Sequence, residues 1–271
     1  MSKGNDEFVE VPGGRLHYEV TGAGPDVTLI HPGLWDSRTW DPQVPVLVDA
    51  GYRVIRYDLR GYGRSSRPTG EPYSHIRDLT AVLDLAGSKQ TVLIGCSKGG
   101  SIAIDFTLEH QDRVRALVPV ASGLGGFEAL QEEDDWWEGV SAPIDAAIEA
   151  GDLERAEELQ LQIWAPLGSD DEPGLFIRRI AFDNLHEITM DVSALQELDP
   201  PAAHRLVEID VPTLVLIAEH DPPYARRVGE MIAAGILGAR KVTVEGADHV
   251  INLRRPQEFD RLVLGFLAEV V

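Results

Sequence analysis

Short apolar runs alternate with stretches of helical periodicity along most of the chain. The runs are rich in β-branched residues and predict buried strands at 27–30, 91–94, 116–121, 212–218 and 241–244. Between them, apolar residues recur at helical spacing, for example in 100–110 and 226–236. Strands and helices that alternate in this way predict an α/β fold with a mostly parallel sheet covered on both faces.

Two segments depart from this alternation. Residues 8–20 have the pattern of a β-hairpin whose turn is Pro12-Gly13-Gly14. Residues 124–203 carry no strand-like run and contain acidic helical stretches such as 128–138 and 145–161. We therefore predict a core formed by residues 1–123 and 204–271, with an N-terminal hairpin, and a helical cap formed by residues 124–203.

The predicted strand 91–94 and the helix that follows it are joined by the sequence Gly95-Cys96-Ser97-Lys98-Gly99. A serine at so sharp a turn exposes its hydroxyl at the edge of the sheet, above a helix N-terminus that favours developing negative charge. Residues two before and two after it must be small for strand and helix to approach closely. This pattern predicts a nucleophile elbow with Ser97 as the nucleophile.

A serine hydroxyl needs a base to remove its proton, and the base needs an acid to orient it. Asp221 follows the predicted strand 212–218, and His249 lies in the loop after the strand 241–244. Both therefore lie at the carboxyl edge of the sheet, where α/β proteins place their ligand groups. The chain order Ser97, Asp221, His249 is that of a catalytic triad on this fold.

An oxyanion hole on such a fold uses one backbone N–H after the nucleophile and one from an earlier loop. The first is that of Lys98. The second belongs to the loop after the strand 27–30, where Pro32 has no N–H. Gly33 is therefore the predicted donor, and Leu34 is the neighbouring candidate.

These motifs resemble those of the α/β-hydrolase superfamily, in its compact, lid-bearing branch of cofactor-free esterases and lactonases. The resemblance extends over almost the whole chain apart from 124–203, and it is carried by His31-Pro32-Gly33, 57–65, 95–100, Asp221, 246–249, Asn252, Arg255 and Pro256. Two positions depart from the family pattern. Pro32 replaces the usual glycine after the histidine, and Lys98 stands where an apolar residue is more common.

The triad predicts a serine hydrolase that cleaves a carboxylic ester or a lactone through an acyl-enzyme at Ser97. The same triad also suits a carbon–carbon bond hydrolase, a perhydrolase, or thioester and amide hydrolysis. A ligand receptor with slow turnover is the alternative from a different class of protein, because one fold hosts many functions.

The substrate-binding residues that we predict are Leu34 and Trp35 beside the oxyanion loop, and Trp137 and Trp164 from the cap. Aromatic side chains suit an apolar pocket. The alternative for the cap aromatics is that they form the small core of the cap itself. For the Lys98 side chain three roles stay open: holding a polar or carboxylate group of the substrate, pairing with an acid of the cap, or solvation at the helix N-terminus.

Other candidate residues receive structural roles. Cys96 is expected to be a small core residue that points away from Ser97, and Trp40 is expected to start the next helix and pack inside. His31 is expected to brace the oxyanion loop, and Asp248 is a second candidate for orienting His249. No partner is predicted for five further histidines: His17, His75, His110, His186 and His204.

Composition narrows the class of protein. The formal net charge of −21 disfavours nucleic acid, anionic membranes and highly anionic substrates as partners, although acidity also serves solubility alone. The single cysteine, the polar N-terminus and the lack of a long apolar run predict a cytoplasmic protein. We expect no cofactor and no metal, and a small-molecule ester or lactone as the partner. The sequence does not predict the oligomeric state.

Overall fold

The computed structural model describes residues 5–168 and 170–271. Residues 1–4 of the predicted core and residue 169 of the predicted cap lie outside them. Within the described residues, eight strands form one sheet: β1 (Asn5–Val11), β2 (Gly14–Gly22), β3 (Asp26–Ile30), β4 (Arg53–Tyr57), β5 (Thr91–Cys96), β6 (Val114–Val120), β7 (Leu214–Ala218) and β8 (Arg240–Val244). The spatial order is β1-β2-β4-β3-β5-β6-β7-β8.

The sheet is parallel except at one end. The predicted hairpin is present as β1 and β2, which pair antiparallel, and β2 then pairs antiparallel with β4. From β4 to β8 all neighbouring strands are parallel. Because the carboxyl ends of parallel strands lie at one edge, the loops after β3, β5, β7 and β8 meet there.

Helices cover both faces of the sheet, and apolar side chains that alternate along the strands pack under them. One buried cluster lies beneath α2 (His75–Leu85), α3 (Lys98–Glu109) and α7 (Pro223–Gly235). The other lies beneath α1 (Gln43–Asp49) and α9 (Pro256–Val270), with the short helix α8 (Ile251–Arg254) before α9. The α/β fold class predicted from the sequence is confirmed, and the described residues contain no helix long and apolar enough to cross a membrane.

In the described part of the segment between β6 and β7, which the sequence predicts to be a cap, there are three helices. They are α4 (Gln131–Glu149), α5 (Leu153–Trp164) and α6 (Glu172–Asp183). The two predicted helical stretches of this segment have different bounds in the structure, because α4 continues through Pro143 and ends before Gly151, whose φ is +73°. Beyond α6, a 3₁₀ turn at Leu185–Thr189 leads back towards the sheet.

Candidate active site

The nucleophile candidate Ser97 lies between β5 and α3, at the turn that the sequence predicts. Its φ of +52° and ψ of −115° are unusual for a residue with a side chain and hold it at the N-terminus of α3. A Cβ atom on Gly95 would collide with the Gly99 carbonyl, and one on Gly99 would collide with the Ile30 carbonyl. The glycines therefore let strand, turn and helix pack in direct backbone contact, which maintains this strained geometry.

The base and acid candidates form a buried pair. His249 Nδ1 lies 2.8 Å from Asp221 Oδ1, and both residues are at most 5% exposed. Because Asp221 occupies Nδ1, the other ring nitrogen, Nε2, is left to act on a neighbouring group. The Trp164 ring packs on the His249 ring at a centroid distance of 4.4 Å, which restricts the imidazole from the cap side.

The loop after β3 lies beside the elbow. His31 accepts a hydrogen bond at Nε2 from the Leu59 N–H at 2.8 Å, so its Nδ1 carries the proton and donates to the Pro32 carbonyl at 2.7 Å. Burial lowers the pKa of His31, which keeps the ring neutral. His31 therefore braces this loop, as the sequence predicts. Leu34, further along the same loop, has a φ of +65°.

A cavity of about 210 Å³ lies between the elbow, this loop and the cap segment. Its lining residues are Gly33, Leu34, Trp35, Ser97, Lys98, Gln160, Trp164, Glu187 and His249. The structure therefore brings together two triad candidates, both oxyanion candidates and three of the predicted substrate-binding residues. Asp221 lies behind His249. Lys98 is the first residue of α3, so its N–H has no partner within the helix.

The fourth predicted substrate-binding residue, Trp137, is not among those that line this cavity. It is 39% exposed and packs against Trp164 at a centroid distance of 6.2 Å, in an aromatic cluster that also contains Trp136 and Tyr224. The prediction for Trp137 is corrected accordingly. Trp164, at the end of α5, lies between Trp137 and the site. This packing of two helices cannot be predicted from the helical pattern of the sequence.

Trp35 and Trp40 are both buried, but they differ in their surroundings. Trp35 lines the cavity, and its Nε1 donates to the Ile177 carbonyl of α6 at 3.0 Å, which joins the oxyanion loop to the cap segment. Trp40 ends a 3₁₀ turn at Ser37–Trp40 and packs against Phe259, so it precedes the next helix and does not start it.

The Lys98 side chain points into the site and reaches the cap segment through a tyrosine. Its Nζ lies 3.4 Å from the Tyr62 hydroxyl, which donates to Glu187 Oε2 at 2.8 Å. Burial lowers the pKa of Lys98 and raises that of Glu187, while the attraction between the two opposite charges opposes both changes. Of the roles left open for Lys98, solvation at the helix N-terminus is excluded by this geometry.

A second buried acid lies behind the cavity. Glu157, on α5, is 1% exposed and accepts a hydrogen bond from Gln160 Nε2 at 3.2 Å. Burial, together with the nearby carboxylates of Glu187 and Glu158, raises the pKa of Glu157 to about 8. Glu157 is therefore mostly protonated at neutral pH.

The remaining candidates take structural positions. Cys96 is buried in the core, and burial raises the pKa of its thiol well above the usual value. Asp248 accepts from Arg254 Nε at 3.0 Å and from the Leu167 N–H at 3.2 Å, so it points away from His249.

Two of the histidines for which the sequence predicts no partner form hydrogen bonds in the structure. His17 bonds Asp58 at 2.9 Å, and His186 bonds the Gly61 carbonyl at 2.8 Å.

Three residues of the site were not predicted from the sequence: Tyr62, Gln160 and Glu187. Tyr62 lies within the 57–65 motif, so its place in the chain pointed to the sheet edge although its role was not assigned. Gln160 and Glu187 come from α5 and from the 3₁₀ turn after α6. Their positions depend on how the cap segment packs, which has no local signal in the sequence.

Comparison with known proteins identifies the family of this fold. A family model for the alpha/beta hydrolase fold matches residues 27–256 of the chain. A curated relative from Klebsiella pneumoniae, a 2-hydroxy-6-oxononadienedioate/2-hydroxy-6-oxononatrienedioate hydrolase, is 27% identical over 94% of this chain and 91% of its own length. Its counterpart from Escherichia coli K12 is also 27% identical, with the same coverage.

Solved structures resemble nearly the whole chain. A hydrolase from Pseudomonas aeruginosa superposes with a TM-score of 0.78 at 29% identity, and covers 98% of this chain and 99% of its own. Est816, an N-acyl homoserine lactone degrading enzyme, superposes with a TM-score of 0.75 at 26% identity, and covers 96% of this chain and 100% of its own.

Proposed function

The chain belongs to the alpha/beta hydrolase family, and from this membership we propose that it is a serine hydrolase that cleaves a carboxylic ester or a lactone through an acyl-enzyme at Ser97. The hydrolase class itself is shared by the family and by the relatives described above. The substrate class and the roles of the residues are proposed here.

The observation that carries the proposal is the pair formed by His249 Nδ1 and Asp221 Oδ1, 2.8 Å apart, beside a cavity that Ser97 also lines. The buried carboxylate fixes the imidazole tautomer, so that Nε2 is the nitrogen able to accept a proton. Ser97 is the lining residue with a hydroxyl at a helix N-terminus, the position that suits a nucleophile in this fold.

In the proposed reaction, Nε2 of His249 accepts the Ser97 hydroxyl proton as Oγ attacks the substrate carbonyl carbon. The N–H groups of Gly33 and Lys98 donate to the negative oxygen that forms, and each such donor contributes about 3–4 kcal/mol to transition-state stabilisation. Collapse of the tetrahedral intermediate breaks the bond to the alcohol oxygen, which takes the proton from His249.

The acyl-enzyme is then hydrolysed by the same groups. His249 removes a proton from water, the resulting hydroxide attacks the acyl carbon, and Ser97 leaves as its hydroxyl after His249 returns the proton. The products are the free carboxylic acid and the alcohol, joined in one hydroxy acid if the substrate is a lactone. No other reactant is needed.

The walls of the cavity support a small, neutral substrate. Leu34, Trp35 and Trp164 supply apolar surface, and a volume of about 210 Å³ lies below the range of about 300–1,000 Å³ for drug-sized ligands. The structural relative that degrades a lactone, at 26% identity over nearly the whole chain, supports the ester and lactone class.

The test is the hydrolysis of p-nitrophenyl esters from acetate to decanoate. We expect sustained turnover by the wild type and a loss of at least about 10³-fold in Ser97→Ala, since the nucleophile acts as a unit with its base. Ser101→Ala, one turn along α3, is the matched control and is expected to keep wild-type turnover. Retained turnover in Ser97→Ala would refute the proposal.

Carbon–carbon bond hydrolysis is a second candidate, favoured by one observation. The curated relatives over 94% of the chain are hydrolases of 2-hydroxy-6-oxo dienedioates. Such substrates carry two carboxylates, whereas Lys98 in this cavity is already linked to Glu187 through the Tyr62 hydroxyl. A chromogenic 2-hydroxy-6-oxo dienoate separates the two candidates: its turnover above that of every ester would favour carbon–carbon cleavage.

We propose a small-molecule partner, and the cytoplasmic location and the independence from any cofactor remain predictions of the sequence. The division into a core and a cap of residues 124–203 is also a proposal. It is supported by the position of α4, α5 and α6 between β6 and β7.

A further inference from the structure

Lys98, Gln160 and Glu187 are polar residues that line the cavity, yet the proposed reaction uses none of their side chains. Only the backbone N–H of Lys98 has a part in it. Side chains that are polar and face a small, otherwise apolar cavity typically fix the orientation of a ligand. Their hydrogen-bonding capacity indicates which chemical group they bind.

The Lys98 ammonium group has N–H donors that are not engaged in hydrogen bonds within the described residues. The Tyr62 hydroxyl gives its hydrogen to Glu187, so its oxygen accepts from Nζ of Lys98 at 3.4 Å. Within residues 5–168 and 170–271, this hydroxyl is the single hydrogen-bond acceptor that Nζ reaches. An ammonium group carries three N–H bonds, so two of them are open to a ligand in the cavity.

Gln160 has open groups as well. One of its amide N–H bonds is engaged with Glu157 Oε2 at 3.2 Å, and no further hydrogen bond of this side chain is formed within the described part of the chain. Its amide oxygen and second N–H are therefore available. Lys98 supplies donors and Gln160 supplies a donor and an acceptor, a combination that matches a hydroxyl or a keto oxygen.

The charges around these groups favour a neutral ligand. Burial raises the pKa of Glu157 to about 8, so this acid carries little charge at neutral pH, and the Tyr62 hydroxyl links Lys98 to Glu187. Lys98 and Glu187 attract each other as opposite charges, so the pair presents little net charge to a ligand. A carboxylate on the substrate would gain the attraction of Lys98 but meet the repulsion of Glu187 and of a chain with a net charge of −21.

We propose that Lys98 Nζ and the Gln160 amide form a subsite for a neutral oxygen substituent, a hydroxyl or keto oxygen carried within a few carbon atoms of the scissile carbonyl. This inference rests on the proposed serine hydrolase function and names its substrate class. Lys98 and Gln160 then determine specificity, and Glu187 is a positioning residue that acts through Tyr62 and Lys98.

The test compares p-nitrophenyl butanoate with its 2-hydroxy and 3-hydroxy derivatives, and p-nitrophenyl pentanoate with the 4-oxo derivative. For at least one position the wild type is expected to prefer the oxygenated ester by about tenfold in kcat/KM, the effect of one hydrogen bond to a charged group. Lys98→Met is expected to bring this ratio to about one. The readout is the ratio of kcat/KM for the oxygenated ester to that for the plain ester, measured within each variant. A general loss of rate at the oxyanion hole lowers both values equally and leaves this ratio unchanged.

Two further variants sharpen the test. Lys89→Met removes an exposed lysine away from the cavity and is expected to keep the wild-type ratio. Glu187→Gln leaves the Lys98 charge without its opposing carboxylate, so p-nitrophenyl hemisuccinate is expected to gain at least about fivefold relative to butanoate. A wild-type ratio near one at every position, or a ratio that Lys98→Met leaves unchanged, would overturn the subsite.

A binding measurement separates failure of the subsite from failure of the proposed reaction. On Ser97→Ala protein, ligand-observed NMR compares methyl butanoate with methyl 3-hydroxybutanoate and methyl 4-oxopentanoate. Preferred binding of an oxygenated ester, lost when Lys98→Met is added, supports the subsite even if the wild type hydrolyses no ester. Equal binding of all three overturns it, whatever the turnover.

Discussion

At residue scale, the account depends on which carboxylate orients His249. Asp248 is next to the histidine in the chain and Asp221 lies 28 residues before it, but Asp221 bonds Nδ1 of His249 at 2.8 Å, whereas Asp248 bonds Arg254. Both acids are buried, so burial does not distinguish them. The two acids differ in the residues that they bond, so mutation of each is expected to have a different effect.

We expect Asp221→Asn to lower kcat/KM by about 10⁴-fold with little change in thermal stability, because the amide supports the wrong imidazole tautomer. Asp248→Asn breaks a buried ion pair, which costs about 3 kcal/mol of unfolding free energy, but leaves the His249 tautomer unchanged. Ester kinetics and urea unfolding measure both variants. The reverse pattern, with activity lost only in Asp248→Asn, would assign the orienting role to Asp248.

Glu157 predicts a pH dependence of stability. Its pKa is raised from 4.5 to about 8 on folding, so the folded state binds more protons than the unfolded state between these values. Stability from this group is present below about pH 4.5 and is lost as pH rises to about 8.

Glu157→Gln removes this penalty. Relative to the wild type, the variant is expected to gain unfolding free energy between pH 5 and pH 8, by a few kcal/mol in urea titrations. Glu154→Gln, an exposed glutamate of the same helix, is the control and is expected to show the same difference at both pH values. A Glu157→Gln difference that does not change with pH would show that this carboxyl is ionised in the folded protein.

At the scale of elements, the elbow between β5 and α3 is fixed by backbone contact. A methyl group at Gly99 would meet the carbonyl oxygens of Ile30, at the end of β3, and of His31, in the oxyanion loop. Gly139 lies on the exposed face of α4, and a methyl group added there would meet no neighbouring atom. The two glycines therefore make a matched pair.

Gly99→Ala is expected to cost about 1–3 kcal/mol in unfolding free energy and to displace the oxyanion loop, with a loss of kcat on esters. Gly139→Ala is expected to stabilise α4 by about 0.5–1 kcal/mol with wild-type kinetics, because alanine has the higher helix propensity. Thermal unfolding and ester turnover check both. An active, stable Gly99→Ala would contradict the close approach at the elbow.

The cap segment predicts the range of acyl chain lengths. Trp164 lines the cavity and contacts His249, whereas Trp137 lies behind Trp164. Trp164→Ala is expected to move the optimum of kcat/KM towards longer p-nitrophenyl esters, and Trp137→Ala to leave the optimum in place. An equal shift in both variants would show that Trp137 also faces the substrate.

What the sequence could predict differs between these elements. Ser97, Asp221 and His249 each follow a strand of one parallel sheet, and the topology alone brings their loops to one edge. The apolar runs of the strands and the periodicity of the helices are local signals. The polar part of the cavity could not be predicted, because Gln160 and Glu187 reach it through tertiary packing of the cap segment, for which no local pattern exists.

At the scale of the whole molecule, the net charge of −21 sets how charged substrates approach. The Debye length falls from about 30 Å at 0.01 M salt to about 10 Å at 0.1 M, so added salt screens the repulsion of anions. We expect kcat/KM for p-nitrophenyl hemisuccinate to rise with NaCl while that for butanoate stays constant. A fall with salt for the anionic ester would indicate an attractive site for carboxylates.

The acyl-enzyme is the central claim, and intact mass spectrometry after acid quenching tests it most directly. With p-nitrophenyl butanoate in excess, we predict a mass increase of one butanoyl group, located at Ser97 by peptide mapping and missing in Ser97→Ala. Ester turnover with no acylated protein, or an acyl group on a residue other than Ser97, would contradict the account.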